Sequence, residues 1–583
     1  MEKRLNILRF LTGFLFLLIA LRFWYLQIYN MEKYRLYSRR NVVKIRRIPP
    51  MRGEIVDRNG ILLAGNRPAY DLYLDLKMVK EPVKLLSELE KKLHYPFLKN
   101  FEKNRIGGID LVKIAEDIPR DMLGWVETHR VFYPGLVVQI WYRRTYYKPY
   151  LPHLIGYIGK INLRELKRYR KNGLDYHYGD WVGKTGIEKL LERDLRGKEG
   201  YIKILVDAQG KVLKVLKRVP PKPGKRVELT IDSALQNEGM RLMEGKVGAL
   251  VAVDPRNGEI LSWVSSPWFN PEKFARGIDE KEWEELVYDP LHPLEDRVRR
   301  GVYPPGSTFK PIVALAALQE GVITPDFKIF CSGSYRKGKD TFGCWKKHGH
   351  GWTDLHKAIV QSCDVYFYTV GDMLGIDRIA RYAFMFGFGE RTGIELPDER
   401  TGLVPTPEWK KKTFHQPWYP GETIPVAIGQ GYLLVSPLQL ARAYSAIAMR
   451  GKMPFLHVLK MSRSHYVNVP IDKDFFNVVI SALEGVVNEP HGTGGWARLK
   501  NVVVAGKTGT AQVVKEKKEE KRKKFEKFWY RDHGWFVAFA PADDPEIVVA
   551  VVIEHGGHGG SAAAPIVGRF LKYYFARKYH AEN

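Results

Sequence analysis

The chain has 583 residues, 45% of them hydrophobic, and a formal net charge of +28 at pH 7. That length gives room for two to four domains with a large core, and the hydrophobic share is ordinary for globular protein. The charge favours an anionic partner or a heat-adapted surface rich in Lys and Glu, and no nucleic-acid-binding motif accompanies it, which sets nucleic acid aside.

Ile7 to Ile28 is mostly apolar, long enough for a helix that spans a bilayer. Arg9 and Arg22 lie near its ends, where their heads can snorkel, and Phe23, Trp24, Tyr25 and Tyr29 form an interfacial belt. No small-residue cleavage site follows, so the segment is read as an uncleaved anchor. Lys3 and Arg4 favour a cytoplasmic N-terminus, but Lys33 to Arg47 is more basic still, and charge leaves the orientation open. The remainder is expected on one side of the membrane.

Arg52 to Leu63 reads as strand, Asn59-Gly60 turn, strand. Gly183-Lys184-Thr185-Gly186-Ile187-Glu188 leads into a helix. The charges of this half are assigned to turns and domain docking. Pro220-Pro221-Lys222-Pro223-Gly224 is a stiff linker and the domain boundary. Three parts are expected: tail and anchor over 1–30, a non-catalytic pedestal over 31–225, and a third domain over 226–583.

Beyond the linker, Asp232 caps a helix from Ser233 to Met243, and Gly248–Val253 with Glu259–Val264 form a hairpin. Helices are expected near 307–320, 355–374 and 436–450. Strands return at 502–514, 535–540 and 547–553, before a closing helix over 565–574. Strands at both ends with helices between them predict one antiparallel sheet assembled from both ends. Lys515 to Lys527, nearly all Lys, Arg and Glu, reads as a solvated loop.

Tyr303-Pro304-Pro305-Gly306-Ser307-Thr308-Phe309-Lys310-Pro311 delivers a helix N-terminus, closed by Gly321. Ser307 and Lys310 share a face. A serine hydroxyl needs a base beside it, and a buried lysine can serve. Ser362-Cys363-Asp364 follows, then Lys507-Thr508-Gly509-Thr510 within a strand. S-x-x-K, S-x-[ND] and K-T-G, in this order and each in its proper local structure, form a serine acyltransferase motif set. Lys184-Thr185-Gly186 is a decoy: it precedes the serine and opens a helix, whereas the chemistry needs a strand edge that pairs with an extended peptide.

From these motifs the chain closely resembles the class B penicillin-binding proteins, in particular the branch that serves rod elongation. The resemblance covers nearly the whole chain. It includes the anchor, Arg52–Gly60, Gly183–Glu188, Cys344-Trp345, Gly349-His350-Gly351, and Gly429-Gln430-Gly431 followed by Ser436-Pro437. Asp364 departs from the Asn common in the superfamily, which puts its polar contact to substrate in question.

The resemblance implies an α+β fold: a single transmembrane helix, a mixed α/β pedestal, and a transpeptidase domain. That domain is an antiparallel sheet sandwiched by helices, with an all-helical subdomain. It implies a peptidoglycan D,D-transpeptidase, inhibited by β-lactams and facing the periplasm. Ser307 would attack the penultimate D-alanine of a stem peptide and Lys310 would take its proton. Ser362 would relay a proton, and Asp364 would orient the site. Lys507 and Thr508 would bind the terminal carboxylate, and Gly509 would let substrate approach. The amides of Ser307 and Thr510 would form the oxyanion hole. It also implies partners: a SEDS-class glycosyltransferase, which is the elongation polymerase, and other elongation-complex membrane proteins.

Rival readings share the nucleophile. A β-lactamase would be smaller, secreted and equipped with a deacylating carboxylate. A bifunctional enzyme would need a larger N-terminal region with paired glutamates. A β-lactam sensor or dead scaffold would keep the fold without cross-linking, and the intact Ser307, Lys310, Ser362 and Lys507 argue against the scaffold.

All three cysteines, Cys331, Cys344 and Cys363, fall within 33 residues, with His350 among them. Cys331, Cys344, His350 and Cys363 are separated by twelve, five and twelve residues, unlike a paired zinc knuckle. A structural Cys₃His zinc site is the expectation. If the Ser362–Asp364 segment is extended, Cys363 points away from its two neighbours, behind the cleft. A Cys331–Cys344 disulfide with free Cys363, or three unrelated thiols, remain open, and His348 is the alternative nitrogen ligand.

Overall fold

The computed structural model describes residues 2–31, 43–105, 111–206, 212–460, 464–512 and 529–581. The Lys515–Lys527 loop, part of the Lys33–Arg47 stretch and the last residues of the expected 502–514 strand lie outside them. The chain divides into two compact units. One comprises residues 1–53, 66–143 and 193–225; the other comprises 54–65, 144–192 and 226–583.

In the first unit a helix runs from Glu2 to Trp24 and continues as a π-turn over Tyr25–Tyr29. Leu5–Tyr29, 25 residues, is apolar and long enough to cross a membrane. Its large apolar side chains, such as Phe10, Phe16 and Ile28, are exposed. Lipid is the solvent such a surface requires. Elsewhere in this unit Val43–Ile48, Gly200–Val206 and Val212–Val219 form a three-stranded antiparallel sheet. Helices Pro82–Leu93 and Phe97–Asn104 present Leu86, Leu89, Phe97 and Phe101 to Leu72, Leu74 and Ile114, which closes a separate core.

The second unit carries the Asn59-Gly60 turn. Asp57 is fully buried, and its carboxylate accepts N–H groups from Asn59 and Ile61 (both 2.8 Å) and from Ser233 (3.0 Å). Arg58 pairs with Glu259 at 3.0 Å. These charges therefore make a turn and dock it onto the Ser233 helix, as the sequence predicts. In the 144–192 segment, Arg144 and Glu188 form a buried pair at 2.6 Å. Lys184 of the decoy is tied to Glu165 at 2.5 Å, at the mouth of the short helix Gly186–Leu190.

The central sheet of this unit is antiparallel and five-stranded. Across it run Ile260–Ser266, Gly248–Val253, Ile547–Ile553, His533–Ala540 and, at one edge, Ala505–Ala511. Two strands come from the start of the domain and three from its end, as predicted. Apart from half-buried His533, the three inner strands read as unbroken buried runs because helices cover both faces. Ser233–Met243 and Ala564–Ala581 pack on one face through Leu235, Leu242, Val567, Phe570 and Leu571. Pro437–Ala448, buried along its whole length, lies against the sheet as well.

Two expected helices differ. The 307–320 helix begins as a 3₁₀ turn, Gly306–Phe309, and becomes α-helical at Lys310. The 355–374 helix is two, Leu355–Val360 and Asp364–Leu374, because Ser362 adopts a left-handed φ of 54° that a helix cannot contain.

Candidate active site

Ser307 sits in a turn clamped from two sides. Gly306 has φ +55°, and a Cβ there would meet the Thr510 carbonyl oxygen at 2.5 Å, so only glycine allows the turn to lie on the strand. The Gly306 amide donates to Gly429 O at 2.9 Å, and the Trp535 indole donates to Pro304 O at 3.1 Å. Behind the turn, Thr308 O accepts the Tyr444 hydroxyl at 2.8 Å. Ile312 to Leu318 are all buried, which anchors the helix that follows. Ser307 itself is half-buried at its head.

Lys310 is wholly buried. Its amine donates to Asp364 Oδ1 (2.7 Å), Ser362 O (2.9 Å) and Ser362 Oγ (3.2 Å). The first two motifs thus meet through this lysine. Among the described residues, no hydrogen bond joins Lys310 to Ser307; the amine turns toward the second motif. Asp364 is engaged on both oxygens, since Oδ2 accepts the Trp345 amide at 2.9 Å. It therefore holds Lys310 in place. The Trp345 indole donates to Ser362 O and Gln361 O, both at 3.1 Å, and so braces the left-handed serine.

Lys507 is also wholly buried and donates to Thr508 O at 3.2 Å. Burial, and then the positive charge of Lys310, push its pKa well below the ordinary lysine value. Among the described residues the Lys507 strand is a sheet edge, paired with His533–Ala540 on one side, and an edge of this kind can pair with an extended peptide. Thr508 shares a 2.8 Å hydrogen bond with Thr493, and Gln430 donates to Thr510 O at 2.8 Å. Thr493 was not read from the sequence; Gln430 and Trp345 lie in motifs that carry the resemblance, but their contacts were not foreseen. The Gly429-Gln430-Gly431 and Gly492-Thr493-Gly494 turns mark two of them only as glycine-flanked polar residues.

Cys331, Cys344, His350 and Cys363 converge: one ligand atom from each lies within 4.8 Å of all the others, and all four residues are buried. The His350 Nδ1 is 3.5 Å from Cys331 Sγ and 3.6 Å from Cys344 Sγ. His348 is exposed and outside the cluster. The three thiols are free. The reason given for the placement of Cys363 needs correction: the segment is not extended. Ser362 is left-handed and Cys363 is the N-cap of the next helix. Gly349 lets the His350 turn lie on the Cys331 carbonyl, which a Cβ there would meet at 2.0 Å. Hydrogen bonding with Cys363, opposed by burial and aided by His350 and the amides of Lys346 and Asp364, holds the Cys344 thiol low.

A serine in the turn before a buried lysine, packed against a sheet-edge strand that carries a second buried lysine, is the arrangement of a serine acyltransferase cleft. Comparison with known proteins agrees. Residues 248–572 match the penicillin-binding protein transpeptidase domain, and residues 47–229 match the penicillin-binding protein dimerisation domain. The chain is similar to the peptidoglycan D,D-transpeptidase MrdA of Haemophilus influenzae, at 37% identity over 97% of this chain and 90% of that one. It is similar to MrdA of Escherichia coli K12 at 35% identity, covering 98% and 94%. Among solved structures, PBP2 in complex with MreC from Helicobacter pylori aligns with a TM-score of 0.81 at 32% identity, over 92% of this chain and 99% of that one. A structure described as a peptidoglycan synthase complex coordinating polymerization and crosslinking aligns over 98% of both chains with a TM-score of 0.75 at 31% identity. The chain belongs to the penicillin-binding protein transpeptidase family.

Proposed function

We propose that this protein is a peptidoglycan D,D-transpeptidase that cross-links stem peptides through a serine acyl-enzyme. The observation that carries the reading is the convergence of Lys310 on Ser362 and Asp364, one turn after Ser307. Lys310, which holds its proton against Asp364 in the resting site, must first release it; Ser307 Oγ then bonds to the carbonyl carbon of the penultimate D-alanine, and its proton passes to the neutral Lys310 amine. Ser362 Oγ, within hydrogen-bond reach of Lys310, hands a proton to the leaving D-alanine amine as the C–N bond breaks. An amine of a second stem peptide then attacks the ester; its proton returns by way of Ser362 and Lys310 to Ser307 Oγ as the ester bond breaks, which restores the serine. The Ser307 and Thr510 amides stabilise the oxyanion. Lys507 and Thr508 take the terminal carboxylate, which would favour the charged form of Lys507; Gly509, expected to let substrate approach, instead lets the strand pack on the Ser307 turn, since a Cβ there would meet the Pro305 carbonyl oxygen at 2.7 Å. Replacing Ser307 with Ala is expected to abolish covalent labelling by a fluorescent penicillin; full labelling of that variant would refute the assignment.

Acyl transfer itself needs no cofactor. We assign the Cys331, Cys344, His350 and Cys363 cluster to structural zinc. Three thiols and one imidazole nitrogen, buried at mutual ligand distance, form the donor set of a closed tetrahedral site. The ion would neutralise thiolate charge and pin Cys363, and through it Ser362. Elemental analysis of protein purified without added metal is expected to give near-stoichiometric zinc, lost in Cys363→Ala. A metal-free protein with a mass two protons light would establish the Cys331–Cys344 disulfide instead.

The apolar N-terminal helix and the likeness to PBP2 solved with MreC and to a peptidoglycan synthase complex support a periplasmic catalytic unit on a single-pass anchor in the inner membrane. They also support partnership with a SEDS-class glycosyltransferase and other elongation-complex membrane proteins.

A further inference from the structure

Residues 407–432 build an aromatic platform that none of the roles above uses. Tyr432 is its hub, with ring centroids 5.1 Å from Trp409, 5.6 Å from Phe414 and 6.4 Å from Trp418. Beneath it Lys410 is 1% exposed, ion-paired with Glu422 and 4.4 Å from the Tyr419 ring centroid. Glu422 also accepts the Tyr419 amide, and the Trp418 indole donates to Thr423 Oγ1, each at 2.9 Å. Rings held by a buried ion pair are preorganised, so a ligand would bind with little ordering cost.

Packing alone does not account for the platform. A small core would hide its rings, yet Phe414 is 47% and Tyr419 51% exposed, and Lys411 and Lys412 are exposed on the same helix. Its position is also informative. Tyr432 directly follows Gly429-Gln430-Gly431, where Gly429 O accepts the Gly306 amide at 2.9 Å and Gln430 donates to Thr510 O at 2.8 Å. The platform therefore begins next to the loop that flanks the Ser307 turn.

We propose that this platform binds the sugar chain of the peptidoglycan strand whose stem peptide enters the cleft, a reading that rests on the transpeptidase function above. Pyranose rings present flat C–H faces that stack on aromatic faces, as other apolar groups do. Free carboxylates of the stem peptides match Lys411 and Lys412. Small β-lactams, lacking sugar, would not reach it.

The test uses the full chain and two probes: a β-1,4-linked N-acetylglucosamine tetramer, and stem pentapeptide without sugar. Binding of the tetramer is expected to weaken about tenfold in the Phe414→Ala/Tyr419→Ala double variant, the size of one or two lost stacking contacts. Pentapeptide binding and the rate of penicillin acylation should stay at the wild-type level. Lys411→Gln/Lys412→Gln should weaken binding of uncross-linked strands bearing stems, most at low salt, and leave the neutral tetramer unchanged. The proposal is overturned if the wild-type chain does not bind the tetramer or if the aromatic variant binds it unchanged. It is also overturned if acylation falls in parallel, which would make the platform a brace, or if the variant loses only polymerase co-purification, which would make it a protein contact. Failure of the wild-type chain to acylate at all would strike the transpeptidase reading and not the platform.

Discussion

At the scale of single residues, the chemistry turns on two lysines that burial treats differently. Lys310 enters the interior with Asp364 as a counter-charge. Among the described residues, Lys507 has one carbonyl as hydrogen-bond acceptor, and burial with the like charge of Lys310 outweighs the attraction of Asp364. Its folded pKa consequently lies well below 10.5. Between that folded value and 10.5 the unfolded chain binds more protons than the native one, so stability rises with pH across the window. Below the window the full cost of burying the charge is present. Lys507→Met removes that cost while filling similar volume. The expected outcome is a protein with a higher melting temperature at neutral pH, a flatter stability profile in the alkaline range, and no penicillin acylation. Thermal melts across pH, run beside a labelling assay, check all three; a variant less stable than wild type throughout would contradict the burial argument.

At the scale of elements, the cleft is a contact between a turn, two helix starts and a strand. One close approach is Gly306 against Thr510, where an added Cβ would lie 2.5 Å from a carbonyl oxygen. Gly306→Ala must also tolerate φ +55°. Such strain plus a backbone clash costs about 1–3 kcal/mol. The turn would move off the strand, separating the Ser307 and Thr510 amides. Acylation by penicillin is expected to slow at least about tenfold, since a misplacement of 1 Å in such a site can cost more than that. Stopped-flow acylation kinetics with a parallel urea melt test this, and an unaltered acylation rate would show that the turn has room. The same scale explains why the 355–374 segment breaks. Local propensity favours one helix, but Lys310 and the Trp345 indole both bind the Ser362 carbonyl, which stabilises a left-handed residue that the isolated chain would avoid.

At the scale of the whole molecule, the N-terminal helix carries large apolar side chains outward over its length, with Arg9 near one end and Arg22 near the other. A lone helix with charges at these positions gains from a partner that shields them. Deletion of residues 1–30 is expected to leave penicillin acylation intact and to remove co-purification with the elongation polymerase. Full co-purification of the truncated protein would reduce the helix to an anchor. Asp57, Arg58 and Asn59 bear on the same question. They are engaged within their own unit, with Ser233, Glu259 and Asp232, yet Asn59, Gly60 and Ile61 are exposed, and the segment around Arg52–Gly60 is predicted to form the partner contact together with the helix.

Much of this was written locally. The anchor, the Asp232 cap, the hairpin at Gly248–Val264 and the three motifs each rest on features of a few neighbouring residues: hydrophobic length, a capping side chain, turn chemistry, a short spacing. The sheet built from both ends followed from the order of strands and helices. Other features depend on residues far apart in sequence, and no window of the chain contains them. The sequence could pair Ser307 with Lys310, but the helix packing turns Lys310 toward Ser362 and Asp364, more than 50 residues on. Clustering put four metal-type ligands in one stretch, while their convergence to 4.8 Å required the Ser362 break and the approach of Gly349 to Cys331. Spacing and composition are local and survive in the unfolded chain. The proton affinity of Lys507, the backbone of Ser362 and the neighbours of Tyr432 are set by burial and contact, and those exist only once the chain has packed.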